Sequence, residues 1–143
     1  MKICFDTNVI LDVLLEREPW YSTALSLLSK VENGDIDGYI CPTTVTTIAY
    51  LIQKEKDAKT AKDLTGHLLS IFNLTHMNKS ICESALSLQI GDYEDAVLHE
   101  SARISEIDAI VTRNVRDFKQ ASLKIYSPEE LEGILLIASD TNS

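Results

Sequence analysis

Residues 2–14, KICFDTNVILDVL, combine a short apolar run with the start of a helical pattern. The run KICF predicts a strand, and it stops at Asp6-Thr7-Asn8, three residue types that favour helix N-caps. The apolar periodicity of VILDVLLERE, which follows, predicts a helix. This segment therefore predicts a strand that passes directly into a helix.

The rest of the chain repeats this alternation. Further strands are predicted at 38–41, 74–77, 109–112 and 123–126. Helices are predicted from Pro19 to the stop at Asn33-Gly34, at about 42–54, 56–73, 79–89 and 93–104, and from Ser127 onward. Strands that alternate with helices predict a three-layer α/β/α sandwich around a central, mostly parallel sheet. We expect one domain over residues 1–139 and a disordered tail over 140–143.

The composition is that of a folded protein, with 45% hydrophobic and 24% charged residues. No apolar run approaches the roughly 18 residues that a membrane span needs, and a cytoplasmic location is expected. The three cysteines, Cys4, Cys41 and Cys82, match neither a disulfide framework nor a zinc pattern. The net charge of −9 is unfavourable for binding nucleic acid, unless part of the acidity belongs to a metal site that a cation neutralises. Composition leaves both readings open.

Polar residues that follow a strand directly are the first candidates for a functional site. In parallel α/β sheets, sites gather beyond the carboxyl ends of the strands. Asp6, the Thr43-Thr44 region and the segment from Arg113 to Asp117 occupy such positions. We therefore expect these residues to lie at the same edge of the sheet.

Three aspartates could supply the oxygen ligands of a hard cation such as Mg²⁺. Each also has an ordinary structural explanation: Asp6 as a helix N-cap, Asp95 as an acid in a first helical turn, and Asp117 as a surface acid beside Arg116. Asp95 nevertheless precedes the apolar residues 96–98, and a carboxylate bordering a core is costly without a partner. A shared cation would be such a partner, and it could activate water for attack on a phosphate.

Three segments carry a resemblance to a known family: FDTNVILD at 5–12, GDYEDAVLHESA at 91–102 and DAIVTRNVRDF at 108–118. They resemble the signature blocks of the PIN domain family, and within it the VapC-type toxin ribonucleases. The resemblance covers nearly the whole chain. It implies a Rossmann-like sandwich, Mg²⁺ or Mn²⁺ as cofactor, RNA as substrate, an antitoxin protein as partner and a homodimer.

The resemblance also assigns expected roles to individual residues. By motif, Asp6, Asp95 and Asp117 match the first, third and fourth acids of the family. Asn8 and Thr112 match polar positions that order the site, and Asn114 falls where some members carry another acid. The second acid has no counterpart in CPTTVTTIAYLIQKE at 41–55, where Thr47 stands in its place. This departure implies weaker metal binding.

The first hypothesis is thus a metal-dependent endoribonuclease, the toxin of a toxin–antitoxin pair. The second is a catalytically weakened PIN-fold module that binds RNA or protein, which Thr47 and the net charge favour. A third, a receiver-like or phosphatase-like domain, would need a lysine near the site, and Lys54 and Lys119 are poorly placed for that. His99, four residues after Asp95, is expected to be a partly exposed helix residue rather than a metal ligand.

Overall fold

The computed structural model describes residues 1–142, and over these residues the chain forms five strands and seven α-helices. The strands are β1 (Lys2–Phe5), β2 (Asp37–Ile40), β3 (Asn73–Leu74), β4 (Ala109–Val111) and β5 (Lys124–Tyr126). The helices are α1 (Thr7–Leu14), α2 (Tyr21–Glu32), α3 (Pro42–Glu55), α4 (Ala58–Ile71), α5 (Lys79–Ala85), α6 (Tyr93–Ile104) and α7 (Pro128–Asn142). A 3₁₀ turn, Val115–Phe118, follows β4.

The described strands make one sheet in the order β3-β2-β1-β4-β5, and every pairing in it is parallel. The central strand β1 has Ile3 and Phe5 in a core cluster with residues of α1–α4 and α7. Its alternate residue Cys4 lies in the opposite cluster, which α6 dominates. Because successive side chains of a strand point to opposite faces, helices cover both sides of the sheet. The predicted three-layer α/β/α sandwich is confirmed.

Gly38 in β2 explains how α2 and α4 approach the sheet closely. A Cβ at this position would lie 2.6 Å from Cγ1 of Val31 and 2.9 Å from the Phe72 ring. Phe72 in turn packs edge-on against Phe5, with ring centroids 5.2 Å apart. A side chain at residue 38 would therefore displace the aromatic pair that fills this layer.

The third strand is shorter than the predicted 74–77 segment. The Thr75 N–H still donates to the Ile40 carbonyl, but the next amide, His76 N–H, donates to the Ser105 hydroxyl at 2.8 Å. The Ser101 hydroxyl donates to the His76 carbonyl. Serine side chains of the α6 region thus take the hydrogen bonds that would have continued the strand.

The last helix begins with a reciprocal cap between Ser127 and Glu130. The Ser127 hydroxyl accepts from the Glu130 N–H, and Glu130 Oε1 accepts from the Ser127 N–H, each at 3.1 Å. The helix runs to Asn142, so the expected tail 140–143 falls partly within it, and residue 143 lies outside the described residues. In the part of the chain that the structure describes, no helix has the length and hydrophobicity needed to cross a bilayer.

Candidate active site

The first candidate residue, Asp6, lies where the central strands β1 and β4 end side by side. Phe5 and Val111 are register partners, and each is followed by a polar residue, Asp6 and Thr112. The Thr112 hydroxyl donates to Oδ2 of Asp6 at 2.8 Å, and Oδ1 accepts from the Thr7 N–H at 2.8 Å. From β1 the chain adds β2 and β3 on one side of the sheet and β4 and β5 on the other, so the topological switch point lies between β1 and β4. Open α/β sheets bind ligands at such a switch point.

A hydrogen-bond network formed by Asn8, Thr112 and the segment that follows β4 orients the Asp6 carboxylate. The Asn8 amide donates to Asp6 Oδ2 at 3.4 Å and to the Thr112 hydroxyl at 3.3 Å. The side-chain Oδ1 of Asn8 accepts from the Arg113 backbone N–H at 3.1 Å, and the Thr112 hydroxyl accepts from the Asn114 N–H at 3.0 Å. Asn8 and Thr112 therefore fix the orientation of the Asp6 carboxylate.

Asp95 and Asp117 are brought together by a close backbone approach at Gly91. The Gly91 N–H donates to the Asp117 carbonyl at 3.1 Å, and a Cβ on Gly91 would lie 3.3 Å from the Asp117 Cβ. The next residue, Asp92, caps α6 by accepting from the Asp95 N–H at 2.8 Å. Glycine thus lets the start of α6 lie directly against the 3₁₀ turn that carries Asp117.

These elements enclose a cleft of about 220 Å³, enough for several waters at roughly 30 Å³ each. Six of the seven predicted site residues line it, and the seventh, Thr112, lies buried beneath Asp6. The lining residues are Asp6, Thr7, Asn8, Leu11, Arg17, Thr47, Asp92, Glu94, Asp95, Asn114 and Asp117. Three of these residues, Asp92, Glu94 and Arg17, are not among the site residues predicted from the sequence.

The acidic side chains of the cleft perturb one another. Burial raises the pKa of Asp6, while the hydrogen bond from Thr112 opposes this shift. Burial also raises the pKa of Asp95, to about 7, and the nearby charges of Asp6, Asp92 and Asp117 add to the effect. A raised pKa means that the ionised carboxylate is disfavoured, because burial and neighbouring negative charges are not offset by a nearby positive charge. A cation in the cleft would supply that charge.

The donor set fits a hard divalent cation, since carboxylate, amide and hydroxyl oxygens are the ligands that Mg²⁺ and Mn²⁺ take. Among the described residues, however, no group of three His, Cys, Asp or Glu side chains is arranged as a ready metal-binding set. Mg²⁺ is commonly held by one or two carboxylates with waters and phosphate oxygens, so an open acidic cleft is compatible with it.

Thr47, on α3, lines the cleft and contacts an acidic residue of α6. Its hydroxyl donates to Oε1 of Glu94 at 3.3 Å. The position where the family resemblance expected an acid therefore has a carboxylate beside it, contributed by another helix. Glu94 lies in the first turn of α6, where the helix dipole favours an acid, so its local sequence has an ordinary explanation. Its contact with a residue 47 positions earlier in the chain has no local signal.

His99 lies outside the cleft and is buried, not partly exposed as expected. Its Nε2 accepts from the Ser122 N–H at 3.1 Å, so Nδ1 carries the proton and donates to Glu100 at 3.1 Å. Glu100 also accepts two hydrogen bonds from Arg103. The histidine therefore fastens the segment before β5 to α6, the helix that carries Asp95.

An ion pair with a buried aspartate connects two segments that contribute residues to the cleft. The Arg113 Nε donates to Asp12 Oδ2 at 2.7 Å and its Nη2 donates to Oδ1 at 3.2 Å. Asp12 is fully buried, and the Arg113 guanidinium also stacks 3.8 Å from the Trp20 ring centroid. This contact ties α1 to the loop that carries Asn114.

Comparisons with known proteins place this geometry in context. A family model described as PIN domain matches residues 2–116. No curated protein matches the chain by sequence at a significant level.

Solved structures with the same fold include a DNA-bound VapBC from Salmonella typhimurium, at 15% identity and a TM-score of 0.68, covering 90% of this chain and 98% of that one. A toxin-antitoxin complex from Klebsiella pneumoniae is 20% identical with a TM-score of 0.66, covering 88% and 97%. The Mycobacterium tuberculosis toxin VapC20, described as cleaving the sarcin-ricin loop, is 15% identical with a TM-score of 0.60, covering 76% and 86%. At these identities the likeness concerns the fold.

Proposed function

The chain belongs to the PIN domain family, and from this premise we propose that it is a metal-dependent endoribonuclease, the toxin of a toxin–antitoxin pair. One observation carries the proposal. Asp6, Asp95 and Asp117 come from three separate segments and line one cleft, at the switch point of the sheet. The raised pKa of Asp95 supports the proposal, because a bound cation would offset the burial and the neighbouring negative charges that raise it.

Asp6, Asp95 and Asp117 would hold the ion, and Asn8 and Asn114, which line the same cleft, would contribute through water. Bound Mg²⁺ or Mn²⁺ supplies an activated water and stabilises the charge that develops on the phosphate. An ionised carboxylate has about four acceptor positions, and Asp6 uses three of them, for Thr7 and Thr112 at 2.8 Å and for the longer hydrogen bond from Asn8 at 3.4 Å. The remaining position is available to a ligand, in an orientation that Thr112 and Asn8 fix before substrate arrives.

Glu94 supplies the further carboxylate that Thr47 lacks. It lines the cleft and accepts from the Thr47 hydroxyl, so it stands beside the position where the family resemblance expected an acid. The proposed site thus takes Asp95 and Glu94 from one helix, α6. Its negative charge then does not depend on α3.

The second candidate function is a weakened PIN-fold module that binds RNA or protein without cleaving it. The uncharged Thr47 favours it, as does the lack, among the described residues, of a ready set of metal ligands. A cleavage assay separates the two candidates. The purified chain is incubated with single-stranded RNA in Mn²⁺, in Mg²⁺ and in EDTA, and binding of the same RNA is measured in parallel.

A nuclease cleaves in Mn²⁺ or Mg²⁺ and stops in EDTA. Asp117→Asn should abolish this cleavage, whereas the matched control Asp37→Asn should leave it unchanged, since Asp37 is exposed at the opposite, amino-terminal end of β2. RNA binding without cleavage in any metal would favour the second candidate. An absence of both binding and cleavage would refute the nuclease and the RNA-binding form of the second candidate, and would leave only its protein-binding form.

An antitoxin partner is proposed on the strength of the family and of the complexes among its structural relatives, such as those from Klebsiella pneumoniae and Salmonella typhimurium. The homodimer implied by the family resemblance is proposed on the same footing. Light scattering of the isolated chain tests the dimer. Co-purification with the product of a neighbouring small reading frame, accompanied by loss of cleavage, tests the antitoxin.

A further inference from the structure

Arg17 is a cation set into the wall of the acidic cleft. It follows α1, just after Glu16, whose φ of 48° turns the chain. Its N–H donates to the Asp12 carbonyl at 3.0 Å and its carbonyl accepts from the Trp20 N–H at 3.1 Å, so its backbone is held on both sides. The side chain is half-buried and lines the cleft together with Asp6, Asp95 and the other acids.

The Arg17 guanidinium is uncommitted despite its acidic surroundings. Five carboxylates line the same cleft, yet Arg17 forms no ion pair with any residue that the structure describes. The contrast with other arginines is direct, because Arg113 is paired with Asp12 and Arg103 with Glu100, each through two hydrogen bonds. The donors of Arg17 are therefore free for a ligand.

We propose that Arg17 binds the phosphodiester group of the RNA that occupies the cleft, donating to its non-bridging oxygens; this inference rests on the proposed nuclease function. A guanidinium matches two phosphate oxygens with two parallel N–H groups. An anionic strand enters a cleft of five carboxylates only if positive charge meets it there. The divalent ion supplies part of that charge, and Arg17 is the one side-chain cation in the described lining.

A second depression continues the path beyond the cleft. It is lined by residues 113–117, shares Asn114 and Asp117 with the cleft, and includes the exposed Arg116. A strand held by Arg17 would leave the cleft over Asn114 and pass Arg116. In this way a protein with a net charge of −9 would bind a polyanion through Arg17 and Arg116, two cations beside the proposed metal site.

The test measures binding of a fluorescent single-stranded RNA by anisotropy over a series of salt concentrations. The parent is the cleavage-silent variant Asp117→Asn at saturating Mn²⁺, and Arg17→Gln, Arg17→Lys and Lys62→Gln are each added to it. Lys62 is exposed on α4, outside the cleft lining, and its loss changes the net charge equally. We expect Arg17→Gln to weaken binding roughly tenfold and to reduce the salt slope by about 0.7, as loss of one phosphate contact from a single strand should.

Arg17→Lys should recover part of the affinity, and Lys62→Gln should change neither quantity. Mn²⁺ titration calorimetry and melting curves complete the test. If Arg17 serves the phosphate, Arg17→Gln binds Mn²⁺ at least as tightly as the parent and melts at the same temperature. The proposal is overturned if Arg17→Gln leaves RNA affinity unchanged and instead weakens Mn²⁺ binding or lowers the melting temperature. Arg17 would then be a structural partner of the acids.

RNA binding by the Asp117→Asn parent and by the wild type distinguishes failure of the Arg17 proposal from failure of the nuclease proposal. If the parent binds RNA and Arg17→Gln binds it equally well, with the same salt slope, the Arg17 proposal fails while the nuclease proposal stands. If wild type neither binds nor cleaves RNA in Mn²⁺, the nuclease proposal fails and the Arg17 proposal fails with it.

Discussion

The Thr47 hydroxyl donates a 3.3 Å hydrogen bond to Oε1 of Glu94, so α3 and α6 meet at the cleft as a hydroxyl and a carboxylate. A glutamate introduced at residue 47 would therefore stand next to an existing negative charge. Like charges this close raise each other's pKa and destabilise the metal-free protein. The two positions should be coupled, and the effect of one should depend on the other.

Glu94→Gln should lower Mn²⁺ affinity roughly tenfold, which corresponds to about 1.4 kcal/mol. The variant keeps the size of the side chain and its hydrogen bond with Thr47, but it removes one negative charge from the cleft. Titration calorimetry checks the change, with Glu83→Gln, an exposed residue on α5, as the control. Equal Mn²⁺ affinity in Glu94→Gln and Glu83→Gln would exclude Glu94 from the metal site.

Thr47→Glu should improve Mn²⁺ affinity more in the Glu94→Gln protein than in the wild type. In the Glu94→Gln protein the new glutamate replaces the lost carboxylate. In the wild type it adds a second carboxylate beside that of Glu94, and the two repel each other. The four proteins form a double-mutant cycle that isolates the coupling between the two positions. Additive effects on Mn²⁺ affinity would mean that residues 47 and 94 do not serve the same ligand.

Arg113→Ala should lower the free energy of unfolding by about 3 kcal/mol, because it leaves Asp12 fully buried without its charged partner. It also removes the stacking contact with Trp20. Urea denaturation measures the change, and Arg116→Ala, which removes an exposed arginine three residues away, should stay within about 0.5 kcal/mol of wild type. Similar midpoints for the two variants would show that the buried pair contributes little.

The layout of the sheet and part of the site could be predicted because their signals are local. Asp6 follows a strand directly, and the rule that sites lie beyond strand ends holds for it in any parallel α/β fold. Asp95 and Asp117 were identified by motif, and the structure brings them to the same cleft as Asp6. Their roles as metal ligands stay predictions.

The features that escaped prediction depend on contacts between distant segments. Arg17 follows a helix rather than a strand, so the strand-end rule does not include it. His99 was expected to be partly exposed, but the Ser122 N–H and Glu100 satisfy both ring nitrogens and allow its burial. The boundary of β3 was wrong because Ser105 on the α6 side takes the amide of His76.

His99→Gln should reduce stability and remove part of its acid sensitivity. Burial lowers the pKa of His99, so the folded protein holds the neutral ring where the unfolded chain, with a pKa of about 6.5, takes up a proton. Stability should therefore fall as the pH drops below about 6.5. Urea midpoints from about pH 8 to 5 measure this slope, with His76→Gln, an exposed histidine, as control. A slope that persists unchanged in His99→Gln would assign the sensitivity to another group.

Asp95→Asn should abolish cleavage and, in EDTA, raise the melting temperature at high pH. The pKa of Asp95 is raised to about 7, so the folded protein keeps its proton where the unfolded carboxyl, at about 3.9, has lost it. The free energy of unfolding then falls as the pH rises from about 3.9 to about 7. Above about pH 7 the folded protein bears the full cost of an ionised Asp95. For a half-buried carboxylate, solvent screening reduces this cost to about 1 kcal/mol, or about 3 °C.

Melting curves of wild type, Asp95→Asn and Asp37→Asn, in EDTA and in Mn²⁺, test both parts of this expectation. Near pH 3 without metal, wild type and Asp95→Asn should melt together, because at about one unit below the unfolded pKa of about 3.9 the carboxyl is protonated in the folded protein and largely so in the unfolded chain. At about pH 8 Asp95→Asn should melt higher, and Mn²⁺ should reverse the order because the ion binds native wild type more tightly. The control Asp37→Asn should follow wild type throughout. A variant Asp95→Asn that melts below wild type in EDTA at about pH 8 would mean that Asp95 has a stabilising partner other than a cation.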